Sequence, residues 1–470
     1  MKLIAVSTGL AMLTIAGLGT MSPPARAESG APHIPPSGVI GVREEMLHPD
    51  FWIARASHPE KRLLTSGAIQ ARNARTLAKD PALVDLSALP STLTQAQAMK
   101  WLQDTMASPP NSLVSRLGEP IASTSLEEVA KNAFSEALPA SITLRWGLSV
   151  RRAPLRLMPT KLEGFASKES TDVDAFQAGV LFPGDAVAIV HSSRDQLWDF
   201  VLTAQGPAWI AKEDVAEGDR NVVLGYGTEG PSRVVIGDTV QTVFTPEAPD
   251  VSELRLDMGV RLPIAAVSPD QPINGQGAYA SWVLNMPVRS REGRLLFKPA
   301  LLRRTTETSA DYLALTRANI IRQAFKFLGE RYGWGHTYNA RDCSGFTSDV
   351  YRSMGLILPP NSGAQGRSPE FKHQLFTAAD SHEARVRAVQ NAQVGDLVVV
   401  PGHVLMILGT IDGKPYVIQD VPFAVFPSEG KLRWTKLNQV SVTPLLPLMA
   451  DKDQTYVDAM TSLVHVTASN

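Results

Sequence analysis

The hexapeptide Arg341-Asp342-Cys343-Ser344-Gly345-Phe346 holds the only cysteine in 470 residues. A lone cysteine cannot form an internal disulfide, so the chain folds without that staple. Its thiol is either an idle buried side chain or a reactive one. Upstream lies a glycine-punctuated loop, Tyr332-Gly333-Trp334-Gly335. Downstream, Phe346, Val350 and Met354 recur at helical spacing until Gly355 stops the run. The pattern predicts that Cys343 opens an amphipathic helix, where unpaired N–H groups and the helix dipole favour a thiolate and lower its pKa.

A nucleophilic thiol needs a base, and the base needs an orienting group. Of the nine histidines, His403 alone stands at the mouth of a long apolar stretch. Val394 to Val400 and His403 to Gly409 read as two strands joined by a tight Pro401-Gly402 turn. The next strand, Tyr416 to Asp420, offers Gln419 as a polar group among apolar neighbours. A cysteine on a helix, a histidine on a strand and a polar residue on the following strand make a papain-like arrangement. The plain alternative is a hydrogen-bonded core histidine with Gln419 at an edge.

Taken together, these residues resemble the NlpC/P60 family of cell-wall cysteine peptidases. The resemblance covers about residues 315–425. It rests on Tyr332-x-Trp334-Gly335, Asp342-Cys343-Ser344-Gly345-Phe346, Leu358-Pro359 with Asn361-Ser362 and Gln365, Gly395-Asp396-Leu397, and Gly402-His403-Val404. The chain departs from the family pattern at three places. Pro360 stands where an Arg is frequent, His336 replaces the second glycine after the tryptophan, and Gln419 holds a position more often occupied by His.

Elsewhere the chain is more ordinary. Residues 1–27 read as a secretory signal: Lys2, a modest apolar core from Leu3 to Gly19, and a small-x-small site at Ala25-Arg26-Ala27. No cysteine follows that site, which argues against a lipoprotein, and no other stretch approaches the ~18 apolar residues of a membrane span. The mature chain is expected to be secreted, in the periplasm, and not membrane-spanning. A net charge of −1 gives no electrostatic hold on nucleic acid. No cofactor is expected, and no metal, since the histidines are scattered and cysteine ligands are absent.

Residues 28–140 show helical periodicity around Ile69, Leu77 and Trp101, and resemble the N-terminal stabilising domain that precedes some NlpC/P60 peptidases. From Ser141 the period shortens, and apolar runs such as Val187 to Val190 and Trp198 to Val201 alternate with turn residues. Residues 141–217 and 218–304 are read as two bacterial SH3-like barrels. His191 with Asp195 is taken as a polar hairpin tip. Residues 305–470 form the catalytic domain, with a first helix from Thr316 to Glu330, a surface insert between Gln365 and Gln393, and a docking helix through Tyr456, Met460 and Leu463. The fold class is therefore α+β: a papain-like domain preceded by two small barrels and a helical N-terminal segment.

The resemblance implies a cysteine endopeptidase that cuts a peptidoglycan stem peptide between D-Glu and a diamino acid. Cys343 is then the nucleophile, His403 the base and Gln419 the orienter. Asp342, Ser344 and Tyr332 are the expected substrate-binding residues, with peptidoglycan or a free muropeptide as the partner. Two other readings share these residues: a catalytically silent wall-binding protein working through its barrels, and a thiol-dependent amidase or acyltransferase.

Overall fold

The computed structural model describes residues 38–106, 112–134, 138–268, 270–428 and 430–468. The expected secretory signal at 1–27 lies outside these residues. Among the described residues no helix is long and apolar enough to cross a membrane, and no group of three His, Cys, Asp or Glu is placed to hold a metal ion.

Helix α1 (Ser66–Lys79) starts where Thr65 Oγ1 accepts a hydrogen bond from the Ala68 amide. Its buried positions, Ile69, Arg72 and Thr76, fall on one face. Arg72 donates to the carbonyls of Val466 and Ala468 at 2.6 Å each, and Asn73 donates to the Gly355 carbonyl. This N-terminal stretch therefore packs into the C-terminal domain, where Met46, Trp52 and Ile69 share one core with Phe346, Tyr351 and Val404. The residues from Leu86 to Leu102 and from Leu138 to Leu144 go elsewhere. Leu93, Ala98 and Leu102 pack with Trp146, Phe200 and Trp209 of the first β module. The stretch read as one N-terminal domain thus divides its apolar residues among three cores, since Leu113 packs instead with Met158 and Phe176.

The first β module is one antiparallel sheet. In spatial order its strands are Val215–Gly218, Arg145–Ser149, Ala186–Ser192, Trp198–Thr203, Gly206–Ala211, Ala153–Arg156 and Gln177–Leu181. The second module is built from three small sheets around Val235, Val251, Leu256 and Leu284, a core that also takes Val180 and Phe182 from the first. Its strand Thr308–Ser309 pairs with Ser232–Val235, so it runs past residue 304.

The C-terminal domain places helices α2 (Arg317–Phe325) and α3 (Cys343–Arg352) against a six-stranded sheet. Helix α2 is shorter than the expected Thr316 to Glu330, because the chain turns back at Lys326 to Leu328. The short helix α4 (Ser362–Gln365) follows α3. The strands are β1 (Lys372–Leu375), β2 (Leu397–Val400), β3 (His403–Ile411), β4 (Lys414–Ser428), β5 (Lys431–Pro444) and β6 (Ser462–His465). Their spatial order is β1-β6-β2-β3-β4-β5. Two expectations need correction here. The insert after Gln365 supplies edge strand β1 besides a helix at His382–Gln390, and the C-terminal run forms only the short helix Tyr456–Ala459 before joining the sheet as β6. Leu463 and Val464 are both buried there, on the two faces of the strand, a pattern that a helical reading of the same apolar residues cannot produce.

Candidate active site

Cys343 is the first residue of α3, and Asp342 is its N-cap. Asp342 Oδ1 accepts from the Gly345 amide at 2.8 Å and from Ser344 Oγ at 2.9 Å. Its Oδ2 accepts from the Gly335 amide at 2.9 Å. The carboxylate therefore fastens the helix start to the preceding loop and keeps one acceptor site on Oδ2 uncommitted. Phe346 and Val350 of α3 and Met354 just past its end face the core, and Gly355 at φ +78° ends the run.

His403 opens β3 directly after the turn, paired in register with Val400. Its Nε2 lies 2.7 Å from Gln419 Oε1 on β4, and Gln419 Nε2 donates to Thr443 Oγ1 on β5 at 2.7 Å. Because the amide oxygen is the acceptor, the imidazole carries its proton on Nε2 and leaves Nδ1 with a lone pair. Val404, one residue on, shares a buried core with Cys343, and its amide favours the charged form of the thiol. Burial lowers the His403 pKa to about 4, with the Gln419 hydrogen bond and the Asp342 charge acting the other way.

The thiol departs from the expectation of a lowered pKa. Burial and the Asp342 carboxylate push Cys343 up, and the Val404 and Ser344 amides only partly offset them. With both groups shifted this way, the resting pair at neutral pH is a thiol beside a neutral imidazole. The helix start supplies N–H groups, but desolvation outweighs them.

Tyr332 is buried beside this pair, and its backbone runs along the outer edge of β5, donating to the Asn438 carbonyl. Ser344 is engaged with Asp342. Gln365 of α4 accepts from Thr347 Oγ1 and donates to the carbonyls of Ser344 and Pro359, so the third helix of the site is tied to the first turn of α3. By contrast His191 and Asp195 do not pair: His191 Nε2 meets the Ala133 carbonyl, and Asp195 takes Ser193 and Asn132.

Sequence reasoning missed the residues that hold the loop before Asp342. Arg152 of the first β module donates to the carbonyls of His336 and Ala340, and Gln177 donates to the Gly335 carbonyl at 2.8 Å. Gly335 has φ +54°, and a Cβ there would stand 2.7 Å from the Gln177 side chain, so this contact requires glycine. Asp420, the residue after Gln419 and the next candidate for its orienting role, has both carboxylate oxygens buried without a partner among the described residues.

Residues 329–417 match the NlpC/P60 family, and residues 163–211 match an SH3 domain of the SH3b1 type. A probable endopeptidase of Corynebacterium glutamicum (strain R) is 28% identical over 135 residues, which are 28% of this chain and 62% of that protein. The probable endopeptidase p60 of Listeria seeligeri is 51% identical over 47 residues, 10% of this chain and 9% of the relative. The chain thus spans less than two thirds of the length of either relative. An NlpC/P60 endopeptidase from Photobacterium damselae subsp. piscicida shares the fold, with a TM-score of 0.70 at 16% identity over 89% of this chain and 97% of that one. The chain thus carries an NlpC/P60 domain over residues 329–417, with an SH3-type module ahead of it over residues 163–211.

Proposed function

We propose that the chain is a secreted cysteine endopeptidase that hydrolyses a peptidoglycan stem peptide at the bond between γ-D-Glu and a diamino acid. The observation that supports this reading is the hydrogen bond from His403 Nε2 to Gln419, which leaves Nδ1 with a lone pair on the strand packed against the helix that Cys343 opens. The Cys343 sulfur bonds the amide carbon while its proton passes to His403 Nδ1. The Cys343 N–H at the open end of α3 meets the developing oxyanion. Collapse of the tetrahedral centre breaks the C–N bond, and the imidazolium returns its proton to the departing amine. Water then attacks the thioester with His403 again as base, and Cys343 leaves as the thiol.

Substrate choice follows from Asp342. Its uncommitted Oδ2 acceptor site suits an ammonium group, a charge-assisted bond typically of about 1.5–3 kcal/mol. Its capping of α3 accounts for about 1 kcal/mol of stability in addition. A free muropeptide with an L-Ala amine is thus preferred over its N-acetylated form, by roughly 10- to 150-fold. The test is mass analysis of L-Ala-γ-D-Glu-diaminopimelate after incubation with the wild type and with Cys343→Ala. Release of the dipeptide and the free diamino acid by the wild type alone is expected. Activity retained in Cys343→Ala overturns the reading, and equal cleavage of free and acetylated peptides removes the amine preference.

A further inference from the structure

Strands β4 and β5 continue past the candidate site as a long hairpin whose outer face keeps two large rings in solvent. Directly paired residues share a face, so Phe423 with Lys436, Val425 with Trp434, and Pro427 with Leu432 line one side. Trp434 is 65% exposed and Phe423 43%, and their ring centroids are 6.2 Å apart. Pro427 is exposed on the same face, and Leu432 is half-buried. Fraying does not account for this exposure. Ala424 and Phe426, on the opposite face, are buried in one core with Leu445 and Leu448, which holds the hairpin to its domain.

The charge of the hairpin is one-sided as well. From Val421 to Leu445 the sequence has three cations, Lys431, Arg433 and Lys436, against one acid, Glu429. All three cations are exposed, and none makes an ion pair or a side-chain hydrogen bond among the described residues. Strand β5 ends the sheet, and among the described residues no backbone outside the hairpin pairs with it from Lys431 to Leu437. Cations on such an edge deter a second chain from adding a strand there. They do not explain the exposed rings beside them.

An apolar patch with unpaired positive charge fits an anionic surface, and the ring geometry selects the kind. Ring planes 75° apart offer one face and one edge, a wedge rather than the flat platform on which sugar rings stack. Leu432 and Pro427 add aliphatic area that sugar hydroxyls cannot use. The combination suits the boundary between lipid headgroups and acyl chains, where ring bodies enter the apolar layer and Lys and Arg meet phosphates.

We infer that this hairpin docks the protein on an anionic phospholipid bilayer, with Phe423 and Trp434 entering the headgroup boundary and Lys431, Arg433 and Lys436 meeting lipid phosphates. The attachment is peripheral. Phe423 follows Gln419 on β4 by about 13 Å of strand, so docking brings the candidate site to the membrane face and uses none of its residues.

The test is flotation of the full chain with vesicles of phosphatidylglycerol mixed with phosphatidylcholine, against vesicles of phosphatidylcholine alone. Binding to the anionic vesicles is expected, weakening about 100-fold when Lys431, Arg433 and Lys436 are all changed to Gln, and weakening also as salt rises. Phe423→Ser combined with Trp434→Ser should weaken it by about 10-fold or more. Trp434→Phe keeps a ring, so most binding should remain while the quenching of tryptophan fluorescence by brominated lipid falls. Thermal melting of each variant checks that it is folded. Residues 1–27 are common to all these chains, so vesicle binding that the hairpin variants leave unchanged belongs elsewhere and overturns the inference. Equal binding to neutral vesicles overturns it too, as does capture by insoluble peptidoglycan without binding to lipid, which would make the ring pair a glycan site.

Discussion

Asp420 sits in the candidate site with no solvent exposure and no partner for either carboxylate oxygen among the described residues. Burial, then the Asp342 and Glu330 carboxylates, push its pKa well above the usual carboxylate range, so the folded protein holds it as the neutral acid. The unfolded chain releases that proton near pH 4. Its stabilising contribution is therefore present below about pH 4 and is lost as pH rises. Asp420→Asn should raise the melting temperature at pH 7, by a gain that shrinks toward pH 4. A variant that melts lower at pH 7 than at pH 4 relative to wild type would contradict the neutral assignment. His403 has the opposite sign. Its pKa of about 4 means that neutral imidazole persists through mildly acidic solution, so the acid limb of the kcat/KM profile should fall near pH 4 rather than near 6.5. Gln419→Ala, which frees the ring, should lower kcat by about 10- to 10⁴-fold, while Gln419→His keeps an acceptor for Nε2–H and should remain active. Cys343 labelling by iodoacetamide should be slow at pH 7 and faster in Asp342→Asn, because that change removes a carboxylate that pushes the thiol up.

At the scale of elements, the loop from Gly333 to Ala340 is the least ordinary piece of backbone. His336, Tyr338 and Asn339 have φ values of 65°, 58° and 57°, a region that costs side-chain-bearing residues on the order of 1 kcal/mol or more each. The loop persists because Arg152 and Gln177 bind three of its carbonyls from outside. Arg152→Ala should cost about 1–3 kcal/mol in urea denaturation and lower kcat, since it releases the segment that orients Asp342. Unchanged turnover in that variant would detach the loop from the chemistry. This loop also marks the limit of what the sequence discloses. The helix opened by Cys343 was legible because Phe346, Val350 and Met354 keep a 3.6-residue period. The strand opened by His403 was legible because a Pro-Gly turn sits between two apolar runs. The loop's clamp comes from residues more than 150 positions upstream, and no local period or turn signal encodes such contacts. Strand β6 was misread for a related reason. Tyr456, Met460 and Leu463 are at helical spacing, yet the pairing of Leu463 with Val398 and Gln374 decides its conformation.

The whole molecule is knitted at Arg341, the residue before the N-cap of α3. Its side chain is 1% exposed and bonds Asp349 at 2.6 Å and Glu330 at 2.7 Å within its own domain. It also reaches Asp257 of the second β module at 3.1 Å, and Asp257 pairs in turn with Arg152 of the first. Three modules therefore meet in one buried ion network next to Cys343. Leu64, Trp52 and Met46 from the N-terminal stretch complete the catalytic core from another side, so no module closes its apolar surface alone. Two consequences are measurable. Asp257→Ala leaves two buried cations short of a counter-charge and should cost about 3–5 kcal/mol, far more than the 0–1 kcal/mol of a surface pair such as Lys100 with Asp104. Deleting residues 38–80 exposes Phe346, Val404 and their neighbours where Trp52 and Ile69 had covered them. A chain so truncated should fail to yield a soluble, cooperatively melting domain, whereas the intact chain should melt in a single transition with Cys343→Ala unchanged in shape. Separate transitions for the β modules and the catalytic domain in the intact chain would show that the shared cores and the Arg341 network do not couple them.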